Sequence, residues 1–416
     1  MKPYQPLDPR DDLVPVILGG DWSTYGIARE FYEAFGVGSI CLGIGQAAII
    51  DHSRILTVRM AKSMGDEDIL AELVAIAADA AAAGKTVVLI ANTDDRVETV
   101  ERIRDRLPEN VVCPLSPADV SAMVSDKVTF QELCQRHGLD VPGTEVVSLA
   151  GADPVAPSAL AFPVIAKPAF SAEYVYLYPR GFKKVYVAND QTELDDLWQS
   201  LRAEGFSGSF LVQELIPGDD TYKDNIIIYC DRTGEPTLFA ASTALLEDHA
   251  PSMLGNSVAM ITRQMPDLWE PLAAMRKDIG WRGFASIDLK RDPRDGRKVF
   301  MDFNPRVGSN SYYVCAGGQN PMLAVVRDLV DGISAEPLVA DQTAIYTRAP
   351  MSLVTRYLTD ERLAAEVRQL MRAGRVANPL RFPRDTFMAR VYGFIMEQNH
   401  VRKFRQYYPA PTESSF

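Results

Sequence analysis

The first hundred residues alternate short apolar runs with segments whose apolar residues recur at helical spacing. Residues 13–18 and 86–91 are apolar runs of strand length, and residues 24–35, 66–83 and 94–107 carry helical patterns. A strand followed by a helix and another strand returns in parallel, with the helix packed on the sheet. The alternation therefore predicts an N-terminal α/β domain at residues 1–115, with a parallel sheet covered by helices on both faces.

Length and composition narrow the class of protein. The chain has 416 residues, 47% of them hydrophobic, and a net charge of −12. Such a length predicts roughly two or three domains, and the hydrophobic fraction excludes general disorder. No apolar run reaches the roughly 18 residues of a membrane span, and the N-terminus lacks the apolar segment of a signal peptide. We expect a cytoplasmic protein without a transmembrane segment, and the acidic balance argues against nucleic-acid binding.

The cysteines and histidines predict no site. The five cysteines lie far apart without a paired motif, which is typical of reduced thiols and not of a zinc site. The four histidines are scattered, and we assign none of them a catalytic role.

Beyond residue 115 the pattern changes to α+β. Strand-like runs become frequent, and turn residues at 231–234 and 292–296 predict hairpins of a largely antiparallel sheet. One helix is expected from about residue 117 to residue 138. The tail at residues 336–416 is basic and rich in aromatic residues, and we expect it to pack as a helical appendage.

Two carboxylates and an amide are predicted to meet on one hairpin. Asp288 and Asp302 lie on either side of the turn at 292–296, and Asn304 lies on the same side of its strand as Asp302. Oxygen ligands of this kind suit Mg²⁺, which also keeps waters and substrate phosphates. An equally good explanation at this point is that each acid only flanks a turn.

Features upstream of this hairpin indicate a nucleotide-binding site. Lys167 ends an apolar strand, where an ammonium group is costly unless an anion such as a phosphate pairs with it. Alternatively, the lysine side chain could extend so that its ammonium group reaches the solvent and needs no anion. The extended residues 210–216 could offer backbone groups to an adenine edge, and an acid just beyond them could accept a ribose hydroxyl.

Five motifs, in this order and spacing, resemble the ATP-grasp superfamily. They are DK at 126–127, VIAKP at 164–168, QELIPG at 213–218, SIDLK at 286–290 and DFNPR at 302–306. The resemblance covers residues 13–332. It implies an ATP-grasp fold that follows the N-terminal, pre-ATP-grasp domain. ATP would lie between a small subdomain at residues 116–215 and a catalytic subdomain at residues 216–335.

The resemblance also implies residue roles. Lys127 and Lys167 would contact the ATP phosphates, and Asp220, with Asp219 as the rival, would bind the ribose. The catalytic residues would be Arg306, facing the phosphate or acyl phosphate, and Lys167. The adenine contacts would come from Gln213, Glu214, Leu215 and Ile216, and the Mg²⁺ ligands would be Asp288, Asp302 and Asn304. Members of the superfamily generally phosphorylate a carboxylate, and an amine then attacks the acyl phosphate.

The segment after Lys167 departs from the glycine-rich loop of many family members. Residues 169–174 read AFSAEY and residues 181–186 read GFKKVY, with a single glycine. We therefore expect the phosphate lid, residues 169–184, to use side chains such as Ser171 and Lys183. This pattern, residues 15–29 and the basic-aromatic tail are similar to the D-aspartate ligase branch.

The substrate side carries weaker signals. Ser23 lies between the first strand and the first helix, where ligands often bind, although a helix cap explains it as well. Ser309 and Asn310 follow the DFNPR motif and are candidates for contact with a substrate carboxylate.

These features lead to one hypothesis and two alternatives. The hypothesis is an ATP- and Mg²⁺-dependent, ADP-forming carboxylate–amine ligase in peptidoglycan synthesis. Its carboxylate substrate would be D-aspartate and its amine acceptor a UDP-linked muropeptide, and a homo-oligomer is compatible with it. One alternative is a ligase for small peptides or modified amino-acid metabolites. The other is a nucleotide-binding regulatory protein without turnover, against which the metal ligands and Arg306 argue.

Overall fold

The first five strands form a parallel sheet in the order β3–β2–β1–β4–β5. The computed structural model describes residues 6–151, 153–170, 174–251 and 253–412. Leu18 at the end of β1 lies opposite Leu42 of β2 and Ala91 of β4. The predicted N-terminal parallel sheet is confirmed. Its elements are β1 (Leu13–Leu18), α1 (Trp22–Phe35), β2 (Ser39–Gly43), α2 (Ala48–Asp51), β3 (Leu56–Met60), α3 (Asp66–Ala82), β4 (Thr86–Ala91), α4 (Asp94–Ile103) and β5 (Val111–Val112).

A second, antiparallel sheet has the order β6–β9–β7–β8. Its core is aromatic, with the Phe210 ring packed edge-on against the rings of Trp198 and Tyr174. The elements of this region are α5 (Ala118–Ser125), α6 (Lys127–Arg136), β6 (Thr144–Ser148), β7 (Val164–Pro168), β8 (Tyr186–Ala188), α7 (Gln191–Ala203) and β9 (Ser209–Glu214).

The single helix expected over residues 117–138 is two helices, α5 and α6. The backbone of Asp126 is extended, with φ −73° and ψ 115°, and its side chain caps α6 by accepting a hydrogen bond from the Thr129 backbone N. An aspartate that caps a new helix competes with continuation of the preceding one.

The largest sheet has the strand order β14–β13–β10–β11–β12–β16–β17, and β15 pairs with β11. Its first five strands, in spatial order, are antiparallel, as the two predicted hairpins require. The elements before the tail are β10 (Lys223–Cys230), β11 (Pro236–Glu247), β12 (Ser257–Arg263), α8 (Trp269–Ile279), β13 (Gly283–Arg291), β14 (Lys298–Asn304), α9 (Tyr312–Ala316) and α10 (Pro321–Leu329).

The tail is helical, as expected, and it also extends the largest sheet. β16 pairs with β12, and β17 pairs with β16. In the described part of the chain, no helix is both long and apolar enough to span a bilayer. The elements of the tail are β15 (Leu338–Val339), β16 (Ile345–Thr347), α11 (Met351–Tyr357), α12 (Glu361–Arg372), β17 (Val376–Ala377) and α13 (Phe387–Tyr407).

Candidate active site

Two carboxylates face each other across β13 and β14. Asp288 is the register partner of Asp302, and Asn304, two residues further along β14, pairs with the position of Ser286. On the other side of β13, the Asn225 amide of β10 donates a hydrogen bond of 3.0 Å to Asp288 Oδ1. The hairpin therefore brings the predicted oxygen ligands together on adjacent strands.

Lysines from two sheets converge on this pair. Lys167, on β7 of the four-stranded sheet, places its Nζ 3.6 Å from Asp302 Oδ1. Lys223, at the start of β10, places its Nζ 3.7 Å from Asp288 Oδ1 and 3.1 Å from Glu247 Oε1. The four-stranded sheet and the largest sheet thus meet at the carboxylate pair.

The charges keep Asp302 ionised. Burial opposes ionisation of its carboxyl group, but the ammonium groups of Lys167, Lys127, Lys184 and Lys223 outweigh burial and lower its pKa. Above this low pKa, and therefore at neutral pH, Asp302 is a carboxylate that can bind a cation.

Burial and crowding act in the opposite direction on the lysines. Burial, followed by repulsion from Lys167, lowers the pKa of Lys127 to about 8. Burial also lowers the pKa of Lys184. Ammonium groups held close together and partly desolvated favour an anion between them, and titratable groups shifted in this way cluster at functional sites.

The donor set fits Mg²⁺. Among the described residues, no group of three or more His, Cys, Asp or Glu side chains could hold a metal ion. The available protein ligands are the two opposed carboxylates and the Asn304 amide oxygen, which also accepts a hydrogen bond of 3.2 Å from Arg306 Nη2. Mg²⁺ commonly takes one or two carboxylates and completes its shell with waters and substrate phosphates.

Arg306 links this site to the N-terminal sheet. Its Nε donates a hydrogen bond of 2.7 Å to Oδ1 of Asp94, the first residue of α4. The guanidinium therefore lies between the end of β14 and the first unit, by which we mean the N-terminal parallel sheet with its helices α1 to α4.

The side chains of the predicted adenine-binding segment bind mainly to protein. Gln213 is buried and its Nε2 donates to Thr144 Oγ1 at 2.9 Å. Glu214 pairs with Arg294 at 2.6 Å and with Arg297 at 3.0 Å. Adenine binding by residues 213–216, including Leu215 and the buried Ile216, stays a prediction and would rely on their backbone.

Asp220 is buried beside a histidine. Its Oδ2 accepts a hydrogen bond of 2.9 Å from the Glu247 backbone N and lies 3.0 Å from His249 Nε2. The rival, Asp219, accepts hydrogen bonds from Thr221 and Thr359. The assignment of the ribose ligand stays a prediction.

The predicted phosphate lid is described only in part. Ser171 lies outside the described residues. Lys183 is exposed, and its backbone N donates a hydrogen bond of 2.7 Å to the Tyr186 hydroxyl. Its neighbour Lys184 interacts electrostatically with Asp302. The GFKKVY motif contained both lysines, but the sequence analysis selected only Lys183.

Lys223 was missed for a physical reason. Its partners Glu247 and Asp288 are 24 and 65 residues away in sequence and meet it only because β10, β11 and β13 are adjacent strands. The local sequence around Lys223 carries no signal for this contact.

Ser23 has a structural role at the start of α1. Asp21 is the N-cap and accepts hydrogen bonds from the Ser23 and Thr24 backbone N atoms. The buried Ser23 Oγ donates to Asp21 Oδ1 at 2.6 Å and accepts from Asn92 Nδ2 at 2.5 Å. These contacts favour the capping explanation, and contact of Ser23 with substrate stays a prediction.

The loop that carries Ser309 and Asn310 is fixed from two sides. The Tyr346 hydroxyl donates to Asn310 Oδ1 at 3.0 Å. The next residue, Ser311, donates from Oγ to Oε1 of the buried Glu30 on α1 at 2.6 Å. The loop is thereby held beside the first unit, and its contact with substrate stays a prediction.

No family model matches the chain. A D-aspartate ligase of Enterococcus faecium (strain Aus0004) is 26% identical over 412 residues, which cover 96% of this chain and 97% of that protein. N5-carboxyaminoimidazole ribonucleotide synthetase in its ADP complex superposes with a TM-score of 0.56 at 12% identity, over 82% of each chain.

The chain is a homologue of D-aspartate ligase with the ATP-grasp fold. The L-amino acid ligase of Bacillus licheniformis has a TM-score of 0.50 at 14% identity, over 77% of this chain and 75% of that one. The predicted fold class is confirmed, and the predictions of the superfamily and of an ATP-dependent ligase agree with the match to D-aspartate ligase.

Proposed function

We propose that this ATP-grasp protein activates D-aspartate with ATP and Mg²⁺ and joins it to an amine of a peptidoglycan stem-peptide precursor in the cytoplasm. The match to D-aspartate ligase over nearly the whole length of both chains supports the substrate class. The single observation that carries the chemistry is the opposed pair Asp288–Asp302 beside Lys167 and Lys223.

The reaction needs a leaving group, because a carboxylate alone would have to expel oxide. Transfer of the γ-phosphoryl group of ATP to a carboxylate oxygen gives an acyl phosphate and ADP. The amine then attacks the acyl carbon, phosphate leaves, and the amide loses a proton. Phosphoryl transfer depends on positioning and on neutralisation of charge, so the residues required are cations around the phosphates.

Each residue of the cluster has a place in this scheme. Lys127 and Lys167 neutralise phosphate charge, and Arg306 holds the transferred phosphoryl group or the acyl phosphate. The metal would be held by Asp288, Asp302 and Asn304. When bound, Mg²⁺ would supply positive charge at the phosphates that the side chains do not. Closure over residues 169–184 would keep water from the acyl phosphate.

The proposal is tested by measuring ADP formation with D- and L-amino acids, each with and without a UDP-linked pentapeptide. We expect ADP release with D-aspartate that requires Mg²⁺ and the acceptor. Lys167→Ala should lower kcat by at least about 100-fold, because a charge that acts on the transferred group is lost. The control Lys277→Ala changes an exposed lysine on α8 and should keep full activity. ATP binding without ADP formation across the whole panel would favour a regulatory protein instead.

A further inference from the structure

A buried arginine lies outside all the motifs. Arg348 follows β16 and is only 3% exposed. Its guanidinium carbon lies 3.5 Å from the centre of the Trp22 ring, and its Nη2 donates a hydrogen bond of 3.1 Å to the Ser257 backbone O. Its Nε is buried and has no hydrogen-bond partner among the described residues. The donor set of this arginine is therefore incompletely used by the protein.

The charge of Arg348 is also incompletely compensated. Within the described ranges, no carboxylate oxygen lies within 4 Å of its guanidinium. Asp248 and Asp21 interact with Arg348 electrostatically, but each has another role. Asp248 is paired with Lys403 Nζ at 3.0 Å, and Asp21 caps α1. A buried cation is costly unless an anion pairs with it. The missing partner is therefore expected to be an anionic ligand.

The position of Arg348 relates it to the active site. Arg348 follows β16 directly, and its side chain interacts with that of Tyr346, whose hydroxyl donates to Asn310 Oδ1 at 3.0 Å. Asn310 is four residues beyond Arg306, and Trp22 is the first residue of α1, which follows β1. Arg348 thus lies where the loop after the DFNPR motif meets the first unit.

We propose that Arg348, covered by Trp22 and linked through Tyr346 to Asn310, binds the α-carboxylate of the amino acid, while the β-carboxylate is the one that is phosphorylated. This inference rests on the proposed function, in which the substrate is a dicarboxylic amino acid. Arg306 and the lysine–aspartate cluster act on the reacting carboxylate, and Arg348 determines specificity through the other.

The chemistry of the two side chains fits this role. A guanidinium presents parallel N–H donors that match the two oxygens of a carboxylate, and Arg348 retains an unused Nε–H for such a contact. The indole of Trp22 excludes water from one face of the guanidinium, which strengthens a charge-assisted hydrogen bond. A lysine at this position would keep the charge but lose the paired donors.

The test compares D-aspartate with β-alanine, which is the same molecule without the α-carboxylate. Calorimetric titration in the presence of MgADP, without acceptor, gives binding of the amino acid independently of turnover. We expect wild-type protein to bind D-aspartate at least about tenfold more tightly than β-alanine. In Arg348→Gln this ratio should fall to near one, while the Kd for ADP stays unchanged. Arg276→Gln is the matched control, because Arg276 is also largely buried and its Nε likewise has no partner in the described part of the chain, but it lies on α8 beside the 231–234 hairpin.

The outcomes separate the inference from the proposed function. An unchanged ratio in Arg348→Gln, with wild-type turnover present, overturns the role of Arg348 and leaves the ligase intact. A ratio that depends on Arg348 without any ADP release supports the binding site and overturns the ligase. If Arg348→Gln does not melt cooperatively, Arg348→Lys decides, and a wild-type ratio in that variant contradicts the proposal. Equal binding of both amino acids by wild-type protein also contradicts it.

Discussion

Two adjacent lysines of the GFKKVY motif have different surroundings. The side chain of Lys184 lies in the field of Asp302, Lys223 and Lys167, whereas Lys183 is exposed. A residue that interacts electrostatically with both the carboxylate pair and the lysine cluster is placed to contact a bound phosphate. Lys184 is therefore the better candidate for a phosphate contact, although Lys183 was the residue selected from the sequence.

We predict that Lys184→Met lowers kcat/KM for ATP by about 10- to 100-fold, because one positive charge near the phosphates is lost. Lys183→Met serves as the matched control, since it removes the same charge one residue away, and its kcat/KM should stay within about threefold of wild type. Steady-state kinetics with varied ATP measures both. The opposite ranking of the two variants would restore Lys183 to the site and remove Lys184 from it.

What the sequence reveals about single residues depends on whether their partners are near in the chain. Asp288 and Asp302 were predictable because one turn fixes their register. Lys223 and Arg348 were not, since their partners Glu247 and Trp22 come from other strands or from the first unit. A residue that acts through long-range contacts has no local pattern.

Among the elements, the break between α5 and α6 determines where Lys127 lies. Asp126 ends α5 and caps α6, so that Lys127 becomes the first residue of α6. The sequence predicted one helix here because both halves have helical periodicity. The cap contact between Asp126 and Thr129, and not the periodicity, sets the break.

We predict that Asp126→Ala lowers the free energy of unfolding by about 1 kcal/mol, the usual cost of losing an N-cap. It should also raise the Kd for ATP, because the start of α6 and Lys127 lose their fixed position. Asp126→Asn keeps a good capping side chain and should be close to wild type in both properties. Denaturant unfolding and ATP titration measure the two effects. Equal losses in both variants would mean that the charge of Asp126, not its cap, matters.

At the scale of the whole molecule, a buried glutamate joins the first unit to the loop after the DFNPR motif. Glu30 on α1 is fully buried and accepts a hydrogen bond from Ser311, and its backbone O accepts one from Asn320 Nδ2 at 2.9 Å. Burial raises the pKa of Glu30 to about 8. We therefore expect the junction to be sensitive to pH.

The direction of this effect follows from proton binding. Between the ordinary pKa of glutamate and pH 8, folded Glu30 keeps its proton, whereas unfolded Glu30 has lost it, so stability falls as pH rises. We predict that Glu30→Gln, which cannot ionise, raises the Tm at pH 8 by several degrees and changes it little near pH 4.5. Glu98→Gln, an exposed change on α4, is the control. Melting curves at both pH values measure this, and a gain that is equal at pH 4.5 and pH 8 would contradict it.

The division of the chain into parts was predictable to different degrees. The parallel N-terminal sheet followed from strand–helix alternation, and the hairpins of the largest sheet followed from their turns. The tail was expected to pack as an appendage, but β16 and β17 extend the largest sheet. Such short strands have no periodicity of their own: pairing with β12 fixes β16, and pairing with β16 fixes β17. The domain boundaries at residues 115, 215 and 335 stay a prediction.

The central claim is that separate segments converge to hold ATP with Mg²⁺, and calorimetric titration of ATP with and without Mg²⁺ tests it most directly. We predict Mg²⁺-dependent binding to wild-type protein and to Asp295→Asn, a control on the hairpin turn. In Asp302→Asn the dependence on Mg²⁺ should be lost, because one of the opposed carboxylates is removed. Undiminished Mg²⁺-dependent binding in Asp302→Asn, or no binding of ATP to wild-type protein, would contradict the claim.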